Sequence, residues 1–259
     1  MTNYDKKYYS KRHYWTKNSV LAITSCIFEI YKPDSVLDLG CANGSWLSTI
    51  KNEHKIDDIW GVDGHWVDEN KLLFPKSKFT KFNLEEVYLP NRRFDLVISM
   101  EVAEHLDQKC ADNFVTSLTN AGDIILFSAA IPLQGGINHY NEQPQSYWNT
   151  KFEQKGFATI DFIRPRIWDL ENVRTDYKQN TFLYIHRQKL DDFKSPLSQF
   201  KNIKNETISD VVHPELFYRK LKIESDLNVI GLKKVFKALP RLILNAISKR
   251  LFLMKYFQG

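Results

Sequence analysis

The sequence predicts an α/β fold, a doubly wound and mostly parallel sheet of seven strands, with a helical C-terminal extension. Short apolar runs alternate with longer amphipathic segments, which is the order of strands and helices in a parallel sheet covered on both faces. The runs at 94–100 and 123–130 are almost continuously apolar, as expected of strands buried on both faces. A glycine-containing turn, residues 40–44, follows the first strand and precedes a helix.

The elements can be assigned in chain order from their residue patterns. An amphipathic helix at 18–31, capped at Asn18 or Ser19, should end before Pro33, because the residue before a proline avoids the helical conformation. The two latest strands are expected to form an antiparallel pair at one edge of the sheet. The predicted strands are 35–39, 57–63, 78–83, 94–100, 123–130, 157–163 and 180–185, and the helices between them are 44–54, 107–119 and 146–155.

Composition divides the chain into four predicted segments. Residues 1–33 form a helical lead-in, which either folds over a ligand as a lid or packs as an ordinary terminal helix. Residues 34–189 form the main domain, and 190–226 form a polar linker with short helices, one of them starting near Pro214. Residues 227–259 form a basic amphipathic helical tail. Apolar residues make up 43% of the chain, enough for a folded core.

The net charge of +5 is concentrated in the tail. From Leu227 to Gly259 there are seven basic residues and no acidic one, which leaves a net charge of −2 for the rest of the chain. We therefore expect no nucleic-acid partner for the main domain. The apolar face of the tail predicts contact either with an anionic membrane surface or with the domain or a second subunit.

Cysteine usage and the absence of a leader pattern predict a cytoplasmic protein. Cys26, Cys41 and Cys110 form no Cys-x-x-Cys pair, so neither a disulfide framework nor a zinc site is expected. No apolar signal region follows Met1, and no apolar stretch is long enough to span a bilayer. The basic tail leaves peripheral attachment at the inner face of the membrane as an open alternative.

The spacing of the glycine turn indicates the kind of ligand. The pattern from Asp38 to Gly44 is Asp-x-Gly-x-x-x-Gly, whereas dinucleotide binders carry Gly-x-Gly-x-x-Gly, with a third glycine that admits a pyrophosphate. An acid just before the turn repels phosphate and suits a cation. S-adenosylmethionine (SAM) carries an ammonium, a sulfonium and no phosphate, so it fits this pattern better than NAD.

Three motifs in this order resemble class I SAM-dependent methyltransferases over roughly residues 30–190. They are DLGCANG at 38–44, GVD at 61–63 and FDLVISMEVAEHL at 94–106. A fourth segment, 127–148, is similar to a subgroup encoded with bacterial surface-polysaccharide and glycan pathways. The resemblance implies a Rossmann-like methyltransferase fold and SAM as cofactor, with S-adenosylhomocysteine as product. It also implies O-methylation of a sugar, a nucleotide sugar or a capsule or O-antigen glycan intermediate.

The resemblance places the cofactor against the turn and the ends of the first four strands. Asp63 would accept hydrogen bonds from the ribose hydroxyls, and Asp38 would lie near the methionine ammonium. His65 or Trp66 would lie against the adenine or simply pack on the surface, and Asn83 replaces the usual acid near the adenine amine. The candidate cofactor-binding residues are Asp38, Gly40, Cys41, Ala42, Asn43, Gly44, Trp46, Asp63, Gly64, Asn83, Leu84 and Met100.

The candidate catalytic residues are His139, His105 and Glu101. A hydroxyl acceptor must lose a proton during methyl transfer, and histidine suits that task near neutral pH. We prefer His139 as the base and His105 as a positioning residue. A polar and aromatic group after the fifth strand is expected to line a sugar, unless it forms only a solvated loop. Its members are Asn138, Tyr140, Asn141, Glu142, Gln143, Tyr147 and Trp148.

Other functions remain open from the sequence alone. Glu101, His105, His139 and Glu142 have side chains that could hold a divalent cation, but their wide spacing favours a site without metal. The acceptor could instead be a phosphate-type oxygen, such as that of a phosphoramidate, or an amine. A non-catalytic scaffold with a SAM-type fold and an NAD oxidoreductase are the remaining alternatives.

Overall fold

The computed structural model describes residues 6–193, 210–225 and 239–240. The chain divides into two compact units, Met1–His213 and Pro214–Gly259. The segment boundaries predicted near residues 33, 189 and 226 stay predictions. The tail predicted at 227–259 lies outside the described residues apart from 239–240, so its contact with a membrane or a subunit also stays a prediction.

The first unit is built on one seven-stranded sheet in the order β3-β2-β1-β4-β5-β7-β6. Neighbours from β3 to β5 are parallel, and β7 is antiparallel to both β5 and β6. The predicted mostly parallel sheet with an antiparallel edge pair is therefore confirmed. The strands are β1 Ser35–Leu39, β2 Asp58–Asp63, β3 Phe79–Lys81, β4 Leu96–Met100, β5 Ile124–Ser128, β6 Phe157–Ile160 and β7 Phe182–His186.

The helices predicted at 44–54, 107–119 and 146–155 are present within a few residues, but the helix predicted at the amino end begins elsewhere. The first helix begins at Lys6, so the predicted start near Asn18 is wrong. Ser19 lies inside this helix, and its hydroxyl accepts a hydrogen bond from the backbone N–H of Arg174 at 3.0 Å instead of capping a helix end. The helices are α1 Lys6–Phe28, α2 Ser45–His54, α3 Ala111–Ala121, α4 Gln145–Gln154, α5 Arg164–Ile167 and α6 Thr175–Asn180, with α7 Pro214–Ser225 in the second unit.

Short 3₁₀ turns complete the described elements. They lie at Glu69–Lys71, Lys76–Lys78, Ala103–His105, Gln108–Cys110 and Arg187–Asp192. The helices α5 and α6 are not predicted from the sequence, because segments of four and six residues are too short to show a helical period. Among the described helices, none has both the length and the apolar character needed to cross a bilayer.

Two apolar clusters cover the two faces of the sheet. Neighbouring residues of one strand belong to different clusters: Val36 packs with α1 and α2, whereas Leu37 packs with α3 and α4. This alternation explains why the central strands read as continuous apolar runs, since both sets of side chains are buried. The doubly wound arrangement brings the carboxyl ends of β1 and β4 side by side, where open α/β sheets bind their ligands.

Candidate cofactor site and active site

The turn after β1 is tight enough to bring the backbone close to a ligand. Gly40 and Gly44 have φ angles of +93° and +80°, in the left-handed region that favours glycine. The N–H of Gly40 donates to the carbonyl of Val62 at 2.8 Å, which ties the turn to the neighbouring strand. A Cβ on Gly44 would lie 2.1 Å from Cδ1 of Phe74. Glycine is therefore required at Gly44 both by conformation and by space.

Asp63 connects the end of β2 to this turn. One carboxylate oxygen accepts a hydrogen bond from the N–H of Ala42 at 2.6 Å, and the other accepts from the N–H of Gly64 at 2.6 Å. Burial raises the pKa of Asp63, and these two N–H donors oppose the rise. These two hydrogen bonds hold the carboxylate of Asp63, the side chain expected to bind the ribose hydroxyls, in a fixed position. Its oxygens keep lone pairs for further donors.

Asp38 is a second buried acid beneath the turn. Burial, and next the nearby charge of Asp63, raise the pKa of Asp38 well above its ordinary value. A cation in this place would offset both effects, because it stabilises the carboxylate form. The pair of acids therefore suits the ammonium of a ligand such as SAM.

Asp38 gives a testable pH dependence. In the folded apoprotein it keeps a proton that the unfolded chain has lost above its ordinary pKa of 3.8. Because the folded state binds more protons, we expect the free energy of unfolding to fall as pH rises above about 4, by up to ~1.4 kcal/mol per pH unit. Denaturant unfolding of the wild type and of Asp38→Asn measures this. In Asp38→Asn the free energy of unfolding should fall less with rising pH, and it should be most similar to that of the wild type at acidic pH. If the two proteins show the same pH dependence, the raised pKa of Asp38 is contradicted.

Glu101, at the end of β4, is held by two amide side chains that sequence reasoning missed. One carboxylate oxygen accepts from Nε2 of Gln134 at 2.9 Å, and the other accepts from Nδ2 of Asn180 at 3.1 Å. Burial, with the charge of Asp176 next, raises the pKa of Glu101 to about 7. The only sequence signal for the two amides is their position, since Gln134 follows β5 and Asn180 ends α6.

Strained backbone marks the same edge of the sheet. Glu101, Leu133 and Asn138 have positive φ angles of 55°, 70° and 59°, and Ala42 in the glycine turn has 49°. Each such residue costs on the order of 1–3 kcal/mol and persists only where the surroundings hold it, which is typical of functional sites. The one other non-glycine residue with positive φ in the described chain, Lys55, caps helix α2.

A cluster of Glu104, His105 and His139 lies next to this edge; we call it the His–Glu cluster. One ligand atom from each side chain lies within 4.8 Å of the others. The rings of His105 and His139 meet edge to face with centroids 4.8 Å apart. Burial raises the pKa of Glu104 well above its usual range, with Glu101 as the next cause, and burial lowers the pKa of His105. The cluster thus brings together residues 34 positions apart in sequence.

The loop after β5 is anchored onto this cluster. The N–H groups of Tyr140 and Asn141 donate to the backbone carbonyl of Glu104 at 2.9 and 3.0 Å. Glu142 accepts hydrogen bonds from the N–H groups of Leu133 and Gly135 at 2.8 and 2.7 Å, and it also bonds Nδ1 of His139 at 3.0 Å. Glu142 therefore fixes both the loop and the imidazole.

The structure changes the interpretation of the predicted sugar-binding residues. Asn141 and Trp148 are 1% and 2% exposed, so neither presents a surface to solvent. Trp148 packs on Phe127 in the core, with ring centroids 5.3 Å apart. Tyr140 is 72% exposed and keeps an open ring face. The half-buried members Gln143 and Tyr147 and the exposed Asn138 lie along the same segment.

The other predicted cofactor residues fall into two groups. Trp66 is exposed, and a Cβ on Gly64 would lie 2.0 Å from its ring, so this ring lies directly beside the end of β2. Asn83 is exposed, with its amide oxygen accepting from the N–H of Glu85 at 3.2 Å. The buried ones are Cys41, Trp46, Leu84 and Met100, while Asn43 and His65 are exposed. Trp46 donates from Nε1 to the hydroxyl of Tyr177 at 3.3 Å.

The predicted metal set is not the one that the structure brings together. Of its four members, His105 and His139 lie in the His–Glu cluster, but Glu104 replaces Glu101 and Glu142 there. The carboxylate of Glu101 is occupied by amides, and that of Glu142 lies behind His139. In the part of the chain that the structure describes, this is the one group of three or more potential ligands with suitable spacing.

Solved structures resemble this fold at low sequence identity. An O-methyltransferase family protein from Burkholderia thailandensis is 13% identical, with a TM-score of 0.48, and the match covers 69% of this chain and 56% of that one. The plantazolicin methyltransferase BpumL, solved with S-adenosylhomocysteine, is 13% identical over 71% and 88% of the two chains, with a TM-score of 0.49. A putative methyltransferase bound to the Haloferax volcanii Trm112 activator is 12% identical over 68% and 90%, with a TM-score of 0.50. This chain thus spans little more than half the length of the Burkholderia protein, and likeness at these identities concerns the fold alone.

The family is shown by the sequence itself. No curated protein matches the chain. Residues 14–162 match a family model described as a methyltransferase domain. The matched region spans more than half of the chain and contains the glycine turn, the acids Asp38 and Asp63 and the His–Glu cluster. The chain therefore belongs to the methyltransferase domain family, a family of SAM-dependent methyltransferases.

Proposed function

We propose that this protein transfers a methyl group from SAM to a hydroxyl oxygen of a sugar, a nucleotide sugar or a glycan intermediate. We call the glycine turn at 40–44, with the carboxyl ends of β1, β2 and β4, the cofactor edge. The observation that carries the proposal is the pair of imidazoles, His105 and His139, next to this edge. The charge of Asp63 acts weakly on His105, which places this imidazole in the neighbourhood of Asp63. A hydroxyl acceptor has a proton to lose, and groups that handle protons near neutral pH support it over an acceptor without one.

The residues of the cofactor edge can be given roles. When bound, SAM supplies a methyl group already activated on a sulfonium. Asp63 would accept the ribose hydroxyls, and Asp38 would face the ammonium. The amides of Gln134 and Asn180 hold the carboxylate of Glu101 at the end of β4, where the backbone of Glu101 has a positive φ angle. Most of the rate would come from this fixed placement, because the donor is already reactive.

A sugar acceptor is supported by the outer face of the site. The ring of Tyr140 is 72% exposed, and its backbone is tied to Glu104. An aromatic face beside polar groups suits the apolar face of a sugar ring. A phosphate-type oxygen or an amine would use the same cofactor edge. The family match favours any of these acceptors over the NAD oxidoreductase, and the strained, acidic edge favours an enzyme over a scaffold.

Cofactor binding through Asp63 is the first test. We expect calorimetry to show binding of SAM and S-adenosylhomocysteine but not NAD, and Asp63→Ala to weaken both by about 10- to 100-fold, the loss of charge-assisted hydrogen bonds. Asp58→Ala is the matched control, because Asp58 starts the same strand at its opposite end and pairs with Arg92 at 2.6 Å. Binding of NAD alone, or equal effects of the two variants, would contradict the cofactor assignment. Mass spectrometry with nucleotide sugars then tests the acceptor.

A further inference from the structure

We propose that Glu104, His105 and His139 form a binding site for a divalent first-row transition-metal ion. The three side chains come from two loops, and one ligand atom from each lies within 4.8 Å of the others. Metal–ligand bonds of about 2.0–2.2 Å place ligand atoms roughly 3–4 Å apart, so a shift of about 1 Å closes the group around an ion. The arrangement is therefore nearly assembled.

The carboxylate of Glu104 is the observation that points to a ligand. Its side chain is 0% exposed, and no side chain among the described residues bonds either oxygen; the backbone N–H groups of Glu104 and Ala130 are near enough to lower its pKa, without forming hydrogen bonds of good geometry. No ion pair reaches it in the described part of the chain. Buried polar groups normally have partners, and a carboxyl group in the interior can ionise only where an opposite charge is its partner. A cation bound by Glu104 and the two imidazoles would supply the missing partner.

Both histidines have one ring nitrogen that takes part in a hydrogen bond and one that does not, among the described residues. The backbone carbonyl of Asn138 can only accept, so Nδ1 of His105, 3.1 Å away, must be the donor. Glu142 already accepts two backbone hydrogen bonds, and Nδ1 of His139 donates to it at 3.0 Å. Each Nε2 therefore keeps its lone pair, and no described residue bonds it. Ligating histidines typically donate their other N–H to a carbonyl or carboxylate in this way.

The donor set indicates the class of ion. Two imidazoles and one carboxylate favour manganese, iron, cobalt or zinc over magnesium, which prefers oxygen ligands. Three protein ligands leave open positions, as in catalytic sites. In a role that rests on the proposed function, the ion would hold the acceptor hydroxyl. The hydroxyl proton would pass to solvent water. The electron pair left on the oxygen would form the bond to the methyl carbon of SAM as the bond from that carbon to the sulfonium breaks, and its electrons would stay on the sulfur of S-adenosylhomocysteine. His139 would then act as a ligand and not as a base.

Metal binding to the full-length protein, stripped with a chelator and kept free of SAM, tests the site directly. Titration with Co²⁺ should give one ion per chain and visible bands of an imidazole-bound ion. We expect Glu104→Gln and His139→Asn to weaken Co²⁺ binding at least 100-fold, and Glu142→Gln, which frees the His139 ring, about 10-fold. His186→Gln is the matched control. Because β7 runs antiparallel to β5, His186 at its end lies beside Asp123, at the amino end of β5 and so away from the His–Glu cluster.

The outcomes separate this site from the proposed function. Co²⁺ binding that is unchanged in Glu104→Gln and His139→Asn, or equal affinity for Mg²⁺, would overturn the site or its ion class. Thermal denaturation of Glu104→Gln checks that its fold is kept. If the stripped enzyme binds SAM but no Co²⁺, the cofactor assignment stands and this inference fails. Full methyl transfer by the stripped enzyme would refute the role in acceptor activation.

Discussion

Gly44→Ala is expected to lower the free energy of unfolding by about 2–5 kcal/mol and to abolish measurable SAM binding. The left-handed backbone, with φ at +80°, costs a residue with a Cβ roughly 1–2 kcal/mol. The new Cβ would also lie 2.1 Å from Cδ1 of Phe74, and such overpacking costs typically 1–3 kcal/mol more. Relief of the clash must move the turn or the ring, and either movement changes the cofactor edge. Denaturant unfolding and calorimetry with SAM measure both effects.

Gly156→Ala is the matched control for this prediction. Gly156 has nearly the same backbone angle, +84°, but the nearest atom to its added Cβ is Nε2 of His186 at 3.3 Å. It follows helix α4, away from the glycine turn. We expect a loss of stability from the backbone alone, roughly 1–2 kcal/mol, with SAM binding unchanged. Equal losses of stability in the two variants would show that Phe74 does not restrict the turn.

Trp148→Ala is expected to lower the free energy of unfolding by about 3–5 kcal/mol, because it leaves a large cavity in the core. The side chain is 2% exposed and packs between Phe127 and Tyr147, with ring centroids 5.3 and 5.0 Å away. Urea denaturation gives the magnitude. The residue is thus expected to act on folding and not through stacking against an acceptor.

Tyr140→Ala distinguishes a role in folding from a role in acceptor binding. Its side chain is 72% exposed, so we expect a change in stability of at most about 0.5 kcal/mol. If the ring contacts a sugar, the variant should raise the KM for the acceptor while SAM binding is unchanged. A stability loss in Tyr140→Ala as large as that of Trp148→Ala would contradict the placement of both rings.

The order of the elements can be predicted from the sequence because strands and helices differ in apolar period. The runs at 94–100 and 123–130 are almost continuously apolar, and β4 and β5 lie within them, buried on both faces. The cofactor edge is predictable for a related reason, since the carboxyl ends of parallel strands meet at one edge. Asp38, Gly44 and Asp63 are therefore expected to lie close together once the order of strands and helices along the chain is predicted correctly. The start of α1 was missed because Ser19 resembles a cap in sequence but is used in a tertiary hydrogen bond.

The fold class, the methyltransferase family and the acidic glycine turn can be predicted from the residues alone, because these depend on local periodicity and on motifs within single segments. The contacts between side chains of distant segments become visible only in the folded protein. His139 joins Glu104 because the loop after β5 bonds to the Glu104 carbonyl, and Trp148 enters the core because α4 turns it onto Phe127. Such contacts depend on how a loop folds back over a sheet, and the spacing of residues along the chain does not predict the conformation of that loop.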